Sequence, residues 1–406
     1  MNVLLIALYF PPDWNGVSVR AYNCAKALVL AGHKVTVISA FPNYPDGHHS
    51  VRYRRRVIYS EEVEGINIIR TWVPNVRHTP LSKRITLYLS FMLTSLLASR
   101  AIGEVDVIFS MNPSFFAFFP ALVYSIFMRK NIIRNVDDLW PEVFYDMGIV
   151  RSAVFRKILD NLTKITYKIP KIIVPLSSGY VETLTGKYHI PAEKIRVIEH
   201  GVDLQRFKSN AISQNSDSKS KKLAIYLGNI SEAYDLELVV QAARILAKEP
   251  ISFVIQGTGP NAKKIESMIN DFQLSNIEIN ADILSPIDLV SFLSRADIFL
   301  LPMNITSYGA NADKGLPTKT LEYQALGKPI ICVSNGEAAR YISETKSGLV
   351  TSKRDPEEFA RLILQLAKDE TLAKTLGKNG LDNIVNNLTL EKIGRRFTEV
   401  INRTLQ

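Results

Sequence analysis

The chain has 406 residues, of which 47% are apolar and 22% are charged, and its formal net charge is +10. This length exceeds what one hydrophobic core usually serves and suits two α/β domains, and the composition is that of a soluble globular protein. The basic excess suits nucleic acid, an anionic membrane or phosphorylated substrates without choosing among them. Cys24 and Cys332 lie far apart in apolar segments, so we expect buried thiols rather than a disulfide.

The beginning of the chain predicts a β-strand rather than a targeting segment. Met1–Leu8 has no basic lead and only a short apolar run, which does not fit a secretory signal peptide. No clean run of about 18 apolar residues follows, so a membrane-spanning helix is not expected. We therefore expect a cytoplasmic protein, with the inner face of the membrane as a place where it can act.

The first elements predict a βαβ unit. Val3–Leu8 is a strand, Val17–Ala31 carries an apolar stripe at helical spacing, and Lys34–Ser39 is a second strand. Gly16 lies at the tip of the predicted helix, where a residue without a side chain lets the backbone approach a ligand. A tight turn alone would also explain this glycine, and no G-x-G-x-x-G dinucleotide motif is present.

Residues 42–84 are predicted to be irregular, and they are rich in basic side chains. Two apolar segments follow, Ile85–Ala98 and Phe115–Met128, and the strand Asp106–Ser110 separates them. Both are too short to cross a bilayer, and ordinary helices that cover a sheet would explain them. The functional alternative is a basic and apolar surface within 52–128 that contacts a membrane and receives a lipid-linked acceptor.

A pair of acidic residues follows the next predicted strand. Ile132–Val136 is that strand, and Asp137 and Asp138 come directly after it. The carboxyl ends of parallel strands are where α/β sheets bind ligands. A carboxylate there can orient or deprotonate an acceptor hydroxyl, and Asp138 is the candidate. Capping of the following helix is the alternative role for either residue.

The first half ends in a polar segment. The last two strands are predicted at Lys171–Leu176 and Lys194–Glu199, and residues 209–222 contain almost no apolar side chains. We place the domain boundary near residue 205, which gives an N-terminal domain at 1–205 and a C-terminal domain at 206–388. The remaining residues, about 389–406, are predicted to form an amphipathic helix.

The second half repeats the alternation of strands and helices that is typical of a parallel sheet. The predicted strands are Leu223–Leu227, Ser252–Gln256, Asn276–Asn280, Asp297–Leu301 and Ile330–Val333. Gly228, Gly257 and Gly259 follow two of these strands directly, as turns that approach a phosphate or a base do. A lone Gly-x-Gly is a weak signal, so the position of these glycines after strands matters more than the motif.

A loop and helix near the end of this series combine several groups that bind phosphate. Pro317 suits the first turn of a helix that ends at Gly327. The N-terminus of such a helix favours anions, and Lys314 and Lys319 add two cations. Glu322, about one turn further, can accept two hydrogen bonds from a ribose. The pattern predicts a nucleotide-diphosphate site, and a βα unit whose charged loop residues face water is the alternative.

Three short runs in this loop and helix match a known signature. They are Gly315–Pro317, Leu321-Glu322 and Gly327–Ile331. Together they resemble the donor site of the family-4 glycosyltransferases, in which Gly-Leu-Pro is followed by Leu-Glu and Gly-x-Pro-(Val/Ile)-Ile. Pro317–Lys319 is similar to the variant of the branch that makes bacterial and archaeal surface glycans. The opening turn and the Asp138–Pro141 segment resemble the same family.

The resemblance covers nearly the whole chain and implies an α/β fold of GT-B architecture, with two facing Rossmann-like domains and a cleft between them. It implies a retaining transferase that moves a sugar from a nucleotide-diphosphate donor, commonly a UDP-linked hexose or N-acetylhexosamine. The acceptor would be a glycan, expected to be lipid-linked, in surface polysaccharide or glycoprotein-glycan synthesis. No metal or other cofactor is implied, and the C-terminal helix at about 389–406 would return to the first domain.

The chain departs from the family at three positions of the expected donor site. Lys314 stands where the family has a Glu, eight positions before Glu322. Many members also clamp the diphosphate with an Arg and a Lys, and here those positions are Asn229 and Tyr234. One opposite charge near 4 Å contributes roughly 4 kcal/mol at an effective dielectric of about 20, so compensation must come from elsewhere. Lys319, Lys314 and the helix tip are the local candidates.

The expected site residues fall into three groups. Those expected to act in the reaction itself are Asp138, Lys319 and Glu322. Those expected to bind the nucleotide sugar are Gly16, Gly228, Asn229, Gly257, Gly259, Lys314, Gly315, Leu316, Pro317, Thr318, Lys319 and Glu322. Those expected on the acceptor side are Asp13, Trp14, Asp137 and Asp138. Lys314 is further expected to contact a sugar hydroxyl or a phosphate.

Two other functions stay open from the sequence. A nucleotide-sugar epimerase could share the two-domain plan, and it would turn over its donor without any acceptor. A basic nucleic-acid-binding protein would instead bind random DNA or RNA in a salt-sensitive way. The chain lacks aromatic and basic RNA motifs and its basic residues cluster in predicted loops, so we do not expect nucleic acid as a partner.

Overall fold

The chain divides into two compact units. The first unit comprises Met1–Gly201 and Leu390–Gln406, and the second comprises Val202–Thr389. The computed structural model describes residues 1–44, 47–75, 81–111, 114–146, 148–208, 221–282, 284–305 and 312–406. Most of the predicted linker at 209–222 lies outside the described residues, as does part of the predicted surface at 52–128.

One sheet forms the centre of the first unit. Its strands are β1 Asn2–Ile6, β2 Lys34–Ala40, β3 Ile58–Val63, β4 Ile66–Thr71, β5 Val107–Ser110, β6 Ile132–Val136 and β7 Ile172–Pro175. Their order across the sheet is β3-β4-β2-β1-β5-β6-β7, and every neighbouring pair is parallel except β3 and β4. The central strands are buried on both faces, which is why their sequences are almost continuously apolar.

Helices cover this sheet. They are α1 Gly16–Leu30, α2 Leu81–Thr94, α3 Ser114–Met128, α4 Glu142–Asp146, α5 Ala153–Lys168 and α6 Gly179–Glu182. α1 begins where Asn15 accepts a hydrogen bond from the Ser18 N–H at 2.9 Å, which satisfies one of the free donors of the first turn. A π-helical turn at Thr183–Lys187 follows α6 directly.

The prediction that residues 42–84 are irregular is wrong. This segment contains the hairpin of β3 and β4 and the start of α2. Glu64 and Gly65 form the turn with φ of 50° and 76°, the left-handed backbone that a two-residue hairpin turn requires. All six residues of β3 are exposed or half-buried, so the strand lacks the strong apolar alternation that would have revealed it.

The predicted strand Lys194–Glu199 is also wrong. Ile195 forms a single bridge to Ile173 of β7, and the N–H groups of Arg196 and Ile198 donate to the carbonyl oxygens of Ile173 and Pro175, but no continuous strand results. Further along this segment, the carbonyl oxygens of Ile198 and Glu199 accept hydrogen bonds from the guanidinium of Arg20 at 3.1 and 2.9 Å. A buried side chain therefore uses backbone groups that a longer strand would have paired.

A parallel sheet also forms the centre of the second unit. Its strands are β8 Lys222–Leu227, β9 Ile251–Gln256, β10 Ile277–Asn280, β11 Ile298–Pro302, β12 Ile330–Val333 and β13 Gly348–Thr351. Their order is β10-β9-β8-β11-β12-β13. Its helices are α7 Leu204–Lys208, α8 Leu236–Ile245, α9 Ala262–Asp271, α10 Pro286–Ser294, α11 Thr318–Ala325, α12 Glu337–Glu344, α13 Pro356–Lys368 and α14 Glu370–Asn383. The sequence did not predict β13.

The C-terminal helix α15, Leu390–Leu405, is part of the first unit and packs against α1. A side chain at Gly394 would overlap the carbonyl oxygen of Ala27, so this glycine lets the two helices approach closely. His33 and Thr398 add a hydrogen bond of 2.8 Å between α15 and the residues that follow α1. The apolar face of α15 is thereby buried within the first unit.

Two smaller features complete the fold. Cys24 and Cys332 are free and buried, and burial raises the pKa of both thiols. Within the described ranges, no helix combines the length and the apolar character needed to cross a bilayer.

Candidate active site

The strand order of each unit reverses at one place, and that is where open α/β sheets bind ligands. In the second unit β8 lies beside β11, and the chain runs from β8 to one edge of the sheet and from β11 to the other. The turn after β8 begins at Gly228, and α11 is the first α-helix that follows β11. Gly228, Asn229 and the residues that open α11, all predicted to bind the donor, therefore lie at the reversal point of the second sheet.

Lys319, in the first turn of α11, has an aromatic environment. Its ammonium lies 3.2 Å from the hydroxyl of Tyr226, at the end of β8. The same nitrogen lies 4.3 Å from the centroid of the Tyr226 ring and 3.7 Å from that of Tyr234. Both distances fit cation–π contacts, which favour the charged amine. The aromatic residue at the family's lysine position thus contacts a lysine from another element.

Gly228 makes room for this ammonium. A side chain at Gly228 would overlap the nitrogen of Lys319, and the φ of +138° at this position also disfavours other residues. The turn is further held by the Tyr226 hydroxyl, which donates to the carbonyl oxygen of Asn229 at 2.7 Å. Burial lowers the pKa of Lys319 to about 7, and the charge of Glu322 partly opposes this shift.

Glu322 lies three residues after Lys319 on α11, so both side chains are on the same face of the helix. Burial raises the pKa of the Glu322 carboxyl, while the charges of Arg206 and Lys319 lower it. Arg206 comes from α7, the first helix of the second unit. The half-buried carboxylate of Glu322 can accept hydrogen bonds from hydroxyl groups. The two cations, Lys319 and Arg206, can attract an anion.

The glycines after β9 have a structural explanation. A side chain at Gly257 would overlap the carbonyl oxygen of Gly228, and one at Gly259 would overlap that of Ile230. The two turns are also joined by a hydrogen bond of 2.8 Å from the Ile230 N–H to the Thr258 carbonyl oxygen. These glycines bring the turns after β8 and β9 together, and contact of Gly257, Gly259 and Asn229 with a donor stays a prediction.

The loop before α11 anchors the start of that helix. Leu316 is buried, and Pro317 precedes the first helical residue with its φ at −60°. The missing N–H of proline costs nothing at this position. Lys314 ends a short 3-10 turn that begins at Ala312, and it lies between residues 306–311, which are outside the described ranges, and the helix. The backbone N–H groups of Thr318 and Lys319 open α11.

In the first unit the acidic pair after β6 is divided between two environments. Asp137 is buried and forms an ion pair of 3.2 Å with Arg20 from α1. It also accepts a hydrogen bond from the Asn135 side chain. Burial raises the pKa of Asp137, and the charge of Arg20 opposes that shift. Asp137 therefore joins α1 to β6, while the side chain of Asp138 is exposed.

The carboxyl of Asp138 is exposed, yet the neighbouring protein removes part of its hydration. This desolvation raises the pKa of Asp138, and the charge of Asp137 raises it to a smaller extent. Asp13 differs from it because it is buried. Its carboxylate accepts the N–H groups of Asn43 and Tyr44 at 3.1 and 3.0 Å, so it holds the segment after β2. Burial raises the pKa of Asp13 to about 6 against the effect of these hydrogen bonds.

Trp14 and Gly16 lie at the start of α1. The Trp14 ring contacts Tyr22 edge-on with centroids 6.0 Å apart. Among the described residues, nothing lies within 4 Å of where a side chain at Gly16 would point. Packing therefore does not require a glycine there, in contrast to Gly257. The open space before this helix leaves room for a ligand, and the predicted roles of both residues remain predictions.

Two side chains of this candidate site were missed from the sequence. Tyr226 lies 93 residues before Lys319 in the chain, and only the fold brings them together. Arg206 lies in a short helix that precedes the predicted linker, where the sequence carries no donor-site motif. Among the described residues, no group of three His, Cys, Asp or Glu side chains is arranged to hold a metal ion.

Comparison with known proteins identifies the class. The family model described as Glycosyltransferase Family 4 matches residues 14–206, and that described as Glycosyl transferases group 1 matches residues 208–382. Together these matches account for both halves of the chain. The chain belongs to the family-4 glycosyltransferases and has the GT-B fold, so it is a glycosyltransferase.

Similar proteins include two from Escherichia coli. The putative colanic acid biosynthesis glycosyl transferase WcaI is 24% identical in an alignment of 409 positions that covers 94% of this chain and 97% of WcaI. The putative colanic acid biosynthesis glycosyltransferase WcaL is 24% identical and covers 76% of this chain and 74% of its own. Among solved structures, Anabaena Alr3699/HepE in complex with UDP has a TM-score of 0.67 at 13% identity and covers 99% of this chain and 100% of its own.

Proposed function

We propose that this glycosyltransferase uses a nucleotide-diphosphate sugar, bound at the start of α11, with UDP as the nucleotide. The observation that carries the proposal is the contact of the Lys319 ammonium with two tyrosine rings at the reversal point of the second sheet. The ammonium of Lys319 is stabilised by two aromatic rings and a hydroxyl, which are neutral groups. An incoming diphosphate would add negative charge directly beside this ammonium.

UDP is favoured over other nucleotides by the similar structures. Alr3699/HepE has been solved in complex with UDP and with UDP-glucose, and an E. coli protein described as trehalose-6-phosphate has been solved with UDP-2-fluoro glucose. Other similar proteins use different bases, such as the mycobacterial mannosyltransferase whose name specifies GDP-mannose. The transferred sugar is proposed to be a hexose or an N-acetylhexosamine, as in most of the family.

The proposed reaction needs a stabilised leaving group and an oriented acceptor. Lys319 and the N–H groups that open α11 would stabilise the diphosphate as it departs, and Glu322 would hold the ribose. Asp138, exposed after β6, would orient or deprotonate the acceptor hydroxyl. Retention of the anomeric configuration and operation without a metal are proposed from the family resemblance.

The acceptor is proposed to be a lipid-linked glycan of bacterial surface-polysaccharide or glycoprotein-glycan synthesis. The names of WcaI, WcaL and the Erwinia amylovora protein AmsK connect them with colanic acid and amylovoran, which supports this assignment. A cytoplasmic location with peripheral contact to the inner membrane face through 52–128 is part of the same proposal. Exposed Ile85, Leu89 and Leu93, spaced four residues apart on α2, support that contact.

The experiment is a thermal-shift screen of the full chain against UDP-, GDP- and ADP-sugars, followed by a transfer assay. A UDP-sugar at about a hundred times its Kd should stabilise the protein by about 2.7 kcal/mol. The donor should then be consumed only when a lipid-linked glycan is added. Turnover without acceptor would favour the epimerase, for which the comparisons give no support. Stabilisation by none of the nucleotide sugars would contradict the proposal.

A further inference from the structure

One helix of the first unit presents an apolar stripe to solvent. On α5 and the residue that follows it, six apolar side chains are between 43% and 71% exposed: Val154, Phe155, Ile158, Leu162, Ile165 and Ile169. At 3.6 residues per turn they fall within an arc of about 100°. The face that packs on the unit carries the buried side chains of Thr163, Thr166 and Tyr167. A continuous exposed stripe of this kind is a signature of an interaction surface.

Basic side chains border this stripe. Segment 151–171 contains one acidic residue and six basic residues, which are Arg151, Arg156, Lys157, Lys164, Lys168 and Lys171. The acid, Asp160, accepts hydrogen bonds from Lys187 at 2.8 Å and from the Tyr145 hydroxyl at 3.0 Å. Helical spacing puts Lys157, Lys164 and Lys168 together along one flank of the stripe. The exposed side of α5 is therefore apolar in its centre and positive at its border.

We propose that α5 binds the surface of an anionic lipid bilayer and lies in the interface with its apolar stripe among the acyl chains. Lysines beside such a stripe place their ammonium groups at the level of the headgroups, and this combination is what holds interfacial helices. A second copy of the chain is a poorer occupant, because a symmetric contact would gather two sets of like charges around one interface.

This surface is distinct from the 52–128 segment, and its binding is measurable without a nucleotide sugar. The inference therefore goes beyond the proposed function and can stand or fail separately from it. Helix α3 contacts α5 and carries its own exposed apolar side chains, Ile126 and Phe127, near its C-terminus. They are not needed for the proposal.

The test is co-sedimentation of the full chain with vesicles of phosphatidylglycerol and phosphatidylcholine. The variant Ile158→Gln/Leu162→Gln/Ile165→Gln should lose about tenfold or more of vesicle binding, because it removes the centre of the stripe. Its melting temperature should not fall, since all three side chains are exposed. The matched control is Leu30→Gln, an equally exposed leucine on α1, which should bind vesicles as the unaltered protein does.

Charge is tested in a second variant. Lys157→Gln/Lys164→Gln/Lys168→Gln should weaken binding to anionic vesicles by about fivefold per lysine and should flatten its salt dependence. Removing the same charge from exposed lysines of the second unit, in Lys248→Gln/Lys263→Gln/Lys353→Gln, should have a much smaller effect.

Two results would overturn the proposal. Either the unaltered protein binds no anionic vesicles, or the apolar variant binds them as well as the unaltered protein does. Sedimentation velocity tests whether a second copy of the chain covers the stripe instead. If the unaltered protein is a dimer that binds no vesicles, and the apolar variant is a monomer, the stripe is a dimer interface. Vesicle binding that is lost in the apolar variant, in a protein that no nucleotide sugar stabilises, would retain this inference and reject the proposed function.

Discussion

In each unit a basic side chain on a helix contacts residues at the end of a β-strand. The two basic side chains, Arg20 and Lys319, have different surroundings. Arg20 on α1 forms an ion pair with Asp137 and donates to Asn135 and to the carbonyl oxygens of Ile198 and Glu199. Lys319 on α11, by contrast, contacts a hydroxyl and two tyrosine rings. The guanidinium donates four hydrogen bonds within the protein, whereas among the described residues the ammonium donates one, to the Tyr226 hydroxyl.

The difference separates a structural charge from a charge available to a ligand. A buried cation with a carboxylate and several carbonyl partners holds elements together, and removing it leaves those partners unsatisfied. A cation that is held mainly by aromatic faces remains able to bind an oxyanion. Substitutions at the two positions should accordingly affect different quantities, and the following predictions test this in order of decreasing effect.

The largest effect is expected for Arg20→Met. The substitution leaves Asp137 buried without its counter-ion and the carbonyl groups of 198–199 without their donor, so the free energy of unfolding should fall by about 3–5 kcal/mol. Urea denaturation followed by circular dichroism measures this loss. Arg354→Met removes the more exposed ion pair with Asp235 and should cost less than half as much. Equal losses for both variants would contradict the assignment of Arg20 as the structural cation.

The next largest effect is expected for Lys319→Ala, in binding rather than in stability. Loss of the cation should weaken UDP-sugar affinity by about a hundredfold, because a charge-assisted hydrogen bond contributes about 1.5–3 kcal/mol. The melting temperature without ligand should not fall, since a partly buried charge is removed. Isothermal titration calorimetry gives the affinity, and Lys263→Ala, on the exposed side of α9, should leave it unchanged. Unaltered affinity in Lys319→Ala would end the proposed role of Lys319.

The sequence predicted the fold well where a strand is buried within the sheet. β6 and β12 were predicted to the residue, since both lie inside a parallel sheet and are followed by clear breaks. β3 was missed because an edge strand with solvated side chains has little apolar pattern. The segment at 194–199 was overpredicted because it alternates in polarity and runs beside β7, but after two hydrogen bonds to that strand the carbonyls of Ile198 and Glu199 bind Arg20 instead.

For the candidate site, the sequence predicted local geometry and missed the contacts between distant segments. Pro317 and Gly327 marked the two ends of α11, so Lys319 and Glu322 were correctly expected near its start. Tyr234 was noticed only as a departure from the family's lysine. That its ring contacts Lys319 depends on how the turn after β8 packs against α11, which no local pattern contains.

A pH dependence of intermediate size follows from the lowered pKa of Lys319, at about 7. A bound diphosphate favours the charged amine, so UDP-sugar affinity should be constant below pH 7 and should fall by up to about tenfold per pH unit above it. Stability without ligand has the opposite sign. Between pH 7 and 10.5 the unfolded chain retains the proton that the folded chain has lost, so stability should rise with pH in this window.

Calorimetry of UDP-sugar binding from pH 6 to 9, in buffers with different ionisation enthalpies, measures both the affinity and the proton uptake. The control is Lys319→Arg, because a guanidinium stays charged throughout this range and its profile should be flat. A flat profile in the unaltered protein, with no proton uptake at pH 8, would show that Lys319 is already charged before the donor binds.

The smallest effect is expected for Tyr234→Leu, which removes one aromatic face while keeping an apolar side chain. Loss of a cation–π contact costs about 0.5–2 kcal/mol, so donor affinity should fall by about two- to thirtyfold and the pKa of Lys319 should fall further. Tyr234→Phe keeps the ring and should behave like the unaltered protein in both measurements. A structural role alone would lower the melting temperature and leave the pH profile in place. A shift of that profile toward lower pH in Tyr234→Leu, but not in Tyr234→Phe, would show that the ring favours the charged form of Lys319, which is the form that binds an anion.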